Sequence, residues 1–136
     1  MITNDWRYWG LLAIAGTTAL TGLGQIVIPK ATLRALSTEN TPASRHFFGT
    51  IGMFMAVVGG ALLHALATNS DSHILVFWTA VQKLGASVAV TLGVIRGIFS
   101  PLALLVASFD FLCGLFAISS WRRALHGQTR GRQASE

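Results

Sequence analysis

The sequence predicts an all-α fold: an integral membrane four-helix bundle with short turns and an interfacial connector between its first and second helices. Three observations carry this reading. Hydrophobic residues make up 52% of the chain and charged residues 11%, against about 25% charged in soluble domains. Four apolar stretches each reach the roughly 20 residues that a helix rising about 1.5 Å per residue needs to cross a hydrocarbon core of about 30 Å. Pro29, Pro42 and Pro101 stand where one stretch ends or the next begins. One membrane domain over residues 1–123 and a polar basic tail over 124–136 follow.

Asp5, Trp6, Arg7 and Tyr8 form an interfacial lead-in to a first helix over residues 9–28, which stops before Pro29. Asp5, Thr17, Thr18, Thr21 and the length of the apolar stretch argue against a signal peptide. Gln25 is the one strongly polar side chain in that span. Lys30, Leu33, Arg34 and Leu36 suit a short helix lying in the interface, with Pro29 in its first turn. Thr41-Pro42 reads as an N-cap followed by proline at the first helical position, opening a second span over 42–67. Its ridge of Gly49, Gly52, Ala56, Gly59 and Gly60 is a close-packing face, because small residues let a neighbouring backbone approach.

A polar turn from Thr68 to Ser72 leads into a third span over 73–96, capped by Asp71 or Ser72. Ser100-Pro101 repeats the cap-and-proline start for a fourth span over 101–121. From Arg122 onward the tail is expected to fray beyond its first turn. Four spans bring Trp6, Trp9, Trp78 and Trp121 to the face that holds both termini, as an aromatic belt requires. That face carries Arg7, Arg122, Arg123, Arg130 and Arg132, against Lys30, Arg34, Arg45 and Arg96 opposite. The small excess favours both termini in the cytoplasm. The expected location is a bacterial inner membrane, in which the chain is a multi-pass protein.

The formal charge of +5 does not signal nucleic-acid binding. Its basic residues sit mainly at the ends and loops of apolar segments, where they meet lipid headgroups. The bilayer is the expected environment, and a membrane-protein partner or a second copy the expected contact.

Two charges lie near the middle of apolar spans, Lys83 in the third and Asp110 in the fourth. A charge at that depth is costly unless paired, faces the bundle interior, and is a candidate functional group. Ala103, Val106, Ala107, Cys113, Gly114 and Ala117 fall within about 60° of Asp110, while Leu104, Leu105, Leu112, Leu115 and Phe116 fall on the other side, so Asp110 points inward. Lys83 shares a face with Thr79, Ala80, Ala86 and Ser87. The small-residue ridge of Gly85, Ala89, Gly93 and Gly97 is turned roughly a quarter-circle from it. Counting from the turn at 96–100, the two charges differ in depth by roughly 6 Å, which a lysine stem can cover. They pair to fix register or handle protons or a ligand, with Gln82 and Gln25 as further polar candidates.

His46 and His64 are interfacial candidates on one face of the second span, about 27 Å apart along the axis, so they cannot share a ligand. Zinc and haem spacings are absent, no metal site is expected, and the cofactor stays open. The single cysteine, Cys113, excludes an internal disulfide and the paired-cysteine chemistry of vitamin K epoxide reductase-like enzymes. Small multidrug exporters depend on a glutamate in the first helix, and residues 9–28 contain none. No nucleophile and base stand at matching depth, so no catalytic residue is assigned and an enzyme is the less favoured class.

The proline after the first helix, the glycine-rich second helix opening at Arg45 and the final apolar hairpin resemble the DoxX-like group of small four-helix membrane proteins. The resemblance covers most of the chain through patterns and transfers no catalytic residue. It implies a small membrane subunit working beside redox enzymes or quinone chemistry. Two functions are therefore expected in order. The first is an accessory or scaffold subunit of a larger membrane assembly, motivated by the glycine ridges. The second is a small transporter, proton pathway or lipophile-binding protein using Asp110 and Lys83.

Overall fold

A computed structural model describes residues 5–36, 38–68, 70 and 72–133. The elements are α1 (Trp6–Val27), α2 (Pro29–Ala35), α3 (Pro42–Ala67), α4 (His73–Ile95) and α5 (Ala103–Gln133). The chain is all-helical, and α1, α3, α4 and the Ala103–His126 part of α5 are each long and apolar enough to cross a membrane. Leu20, Val27, Phe47, Phe54, Val57, Val88, Leu105 and Leu112 are exposed on their outer faces. An apolar surface of this extent belongs in lipid rather than water, so the chain is a multi-pass integral membrane protein.

α2 is the expected connector, with Pro29 at its start and Leu33 buried. α3 opens on the Thr41-Pro42 signal. The Thr41 hydroxyl accepts from the Ser44 N–H at 3.1 Å while the Ser44 hydroxyl accepts from the Thr41 N–H at 2.9 Å, a closed capping box. Thr41→Ala is expected to lower stability by about 1 kcal/mol, read from thermal unfolding in detergent; an unchanged midpoint would show that Pro42 alone sets the start. α4 closes on Gly97, whose φ of 70° lies in the left-handed region. The Ile98 N–H donates to Gly93 O at 2.8 Å and the Gly97 N–H to Val94 O at 3.0 Å, the paired bonds of a Schellman ending.

Three boundaries differ from expectation. α1 begins at Trp6, because Trp6 packs edge-on against Phe116 of α5 at 5.4 Å and Arg7 donates to the Ser120 hydroxyl at 3.3 Å. These contacts hold the lead-in as the first turn of the span. α5 begins at Ala103, since residues 101 and 102 form a turn and the Ala103 N–H donates to Ser100 O. The tail that starts at Arg122, expected to fray beyond its first turn, continues as helix to Gln133, and no proline interrupts the ladder. Of the two expected caps of α4, Asp71 lies outside the described residues, and Ser72 is the N-cap without a side-chain bond to the helix.

The bundle is two antiparallel hairpins, α1 with α3 and α4 with α5. Much of the predicted glycine ridge of α3 lies against α1. A Cβ on Gly59 would sit 2.6 Å from Ala19 N and 2.7 Å from Ala15 O, and one on Gly52 would sit 2.6 Å from Gly22 O. The backbones touch, so any side chain there forces them apart. The hairpins meet in a core of Leu11, Ala15, Leu62, Leu66, Val76, Ala80 and Ala117, all in the half nearer the termini. At the opposite end the Ser100 N–H donates to Leu36 O, tying the connector to the α4–α5 turn.

Candidate intramembrane polar site

Asp110 lies on the buried face of α5 with Ala103, Ala107, Cys113, Gly114 and Ala117, as the helical spacing requires. Val106, expected on that face, is exposed instead. Lys83 lies on the buried face of α4 with Val76, Thr79, Ala80 and Ser87. Leu84 fixes the register. A Cβ on Gly114 would sit 2.7 Å from Leu84 Cγ, so only glycine lets that leucine seat against α5. Phe77 meets Trp121 at 5.0 Å two turns nearer the termini.

This seating brings the two charges together. Lys83 Nζ donates to Asp110 Oδ1 at 2.7 Å, a short charge-assisted bond between residues 3% and 6% exposed. The lysine stem covers the depth difference between the two helices. Pairing removes the cost of each isolated charge, and at this depth the geometry specifies one register of α4 against α5 more than it adds net stability.

The other polar candidates stand apart. Gln82 and Gln25 are half-buried, make no hydrogen bond to the pair, and each leaves its Oε1 buried without a hydrogen-bond partner. His46 and His64 are exposed near opposite ends of α3. Cys113 is a buried free thiol. Among the described residues no three histidine, cysteine or carboxylate side chains gather where a metal ion could be held.

Helical spacing alone did not point to Arg7, which is nearly buried, bonds to Ser120 and lies 4.9 Å from the centre of the Trp6 ring. The available signal was its place one residue after an interfacial tryptophan. The α4 ridge also departs from a single packing face. Gly93 is covered by the Phe99 ring, whereas Gly85 meets nothing within 4 Å and Ala89 is exposed.

Comparison with protein-family models, with curated proteins and with solved structures finds no match. Fold and site define the class: a four-span helical membrane protein of two hairpins, the second locked by a buried lysine–aspartate pair.

Proposed function

We propose that the protein is an accessory or scaffold subunit of a larger membrane assembly, docking through the outer face of α4. The observation that carries this reading is the open small-residue face at Gly85 and Ala89. The comparable glycines of α3, Gly52 and Gly59, are covered by α1, whereas Gly85 leaves room for a helix from another chain to approach to backbone distance. Gln82 lies on the same side of α4 one turn away, half-buried beside that face. The partner is a membrane-spanning helix of another protein or of a second copy.

Lys83 and Asp110 favour this reading over transport or proton conduction, because each charge is neutralised by the other. The DoxX-like resemblance suggests that the assembly is a redox one. The arginine excess at the termini favours a cytoplasmic location for both ends.

Gly85→Leu tests the docking face. The bundle is expected to unfold within about 0.5 kcal/mol of the wild type, since the site faces outward. The complex extracted from native membrane is expected to fall to the size of the single chain. A Gly85→Leu complex of undiminished size would sink the proposal.

A further inference from the structure

On the side of α4 away from Gly85, a groove of about 290 Å³ opens between α4 and α5, lined by Ser87, Thr91, Leu104, Ser108, Phe111 and Leu112. Ser87 is 7% exposed, and its hydroxyl makes no hydrogen bond among the described residues. Ser108 is exposed at the groove and is likewise without a side-chain hydrogen bond there. Thr91 differs, because its hydroxyl already donates to Ser87 O at 2.8 Å. Two hydroxyl protons are therefore available in a groove whose remaining lining, apart from the bonded Thr91, is apolar. A serine in lipid ordinarily returns its proton to its own helix, and these two do not.

We propose that this groove binds a lipid-soluble carbonyl compound, with its carbonyl oxygen accepting from Ser87 and Ser108 and its ring or short branched head lying against Phe111. Hydroxyl donors without a nearby free charge select an uncharged acceptor, because Lys83 and Asp110 are bonded to each other. The volume lies at the small end of the usual range of about 300–1,000 Å³, so one ring system fits and the rest of the molecule stays in lipid. Depth selects the source. Ser87 is eight residues before the end of α4, about 12 Å into the span, whereas phospholipid ester carbonyls stay at the edge of the hydrocarbon region. A freely diffusing lipophile reaches that level. This assignment does not depend on the docking role of the opposite α4 face.

The test uses the full chain reconstituted in phospholipid vesicles with an alkyl benzophenone, an aryl ketone that is both ligand and photocrosslinker. Crosslinks are expected to saturate with probe, to map to Leu104, Phe111 and Leu112, and to fall at least about threefold in Ser87→Ala and further in Ser108→Phe, with Val88→Phe on the lipid face as control. Competition by a long-chain dialkyl ketone in the wild type reads the same site without any substitution. Labelling that never saturates, follows exposure around all four spans, or ignores both competitor and serine substitutions would overturn the proposal. So would displacement of the ketone from the groove by a phospholipid carrying a photoreactive acyl chain, which would make the occupant bulk lipid.

Discussion

Asp110→Leu is expected to lower the stability of the bundle by about 3–5 kcal/mol, because it leaves the Lys83 ammonium buried without its partner. Lys83→Met should cost a similar amount by stranding the carboxylate. The wild-type bond is short, 2.7 Å, and both groups are nearly sequestered. Snorkelling of the freed lysine along its four-carbon stem trims the cost of Asp110→Leu. Replacing both residues together should recover most of the loss, since methionine and leucine leave no charge to satisfy. A double-mutant cycle by thermal unfolding in detergent measures this, and strict additivity would mean that the pair contributes nothing as a pair.

Gly59→Val is expected to cost about 2–3 kcal/mol through a different mechanism. The new Cβ would meet the α1 backbone at Ala15 and Ala19, and backbone cannot turn aside as a side chain can. The adjacent Gly60 supplies the control. It has open space where a Cβ would lie, so Gly60→Ala should be neutral or stabilise by up to about 1 kcal/mol through helix propensity. Equal effects at 59 and 60 would show that α1 and α3 are not in backbone contact.

The spans were legible because a bilayer imposes a length, and apolar runs declare that length without tertiary information. Thr41-Pro42 named the start of α3 because capping is local chemistry. The pairing of Lys83 with Asp110 was reachable from the hairpin: a turn at 96–100 brings the two positions to within one lysine stem. The direction of Lys83 was less accessible. Its face and the Gly85 ridge compete for the interior, and the choice is made by Leu84 seating on Gly114, a contact between residues 30 positions apart. The first turn of α1 was missed for the same reason, since Trp6 and Arg7 are held by Phe116 and Ser120. The groove at Ser87 could not be read from periodicity, which reports which residues share a face but not where two helices leave a gap.

The most direct measurement of the proposed docking role is the size at which the protein is extracted from native membrane, compared among the wild type, Gly85→Leu, and the double variant Lys83→Met with Asp110→Leu; the proposal predicts a complex larger than the single chain for the wild type. If the charges hold the hairpin and the α4 face holds the partner, the double variant keeps the complex and Gly85→Leu reduces it to a single chain. If the double variant folds but loses the complex while Gly85→Leu retains it, the account is contradicted: the charges serve the partner, and the glycine face is only a surface in lipid.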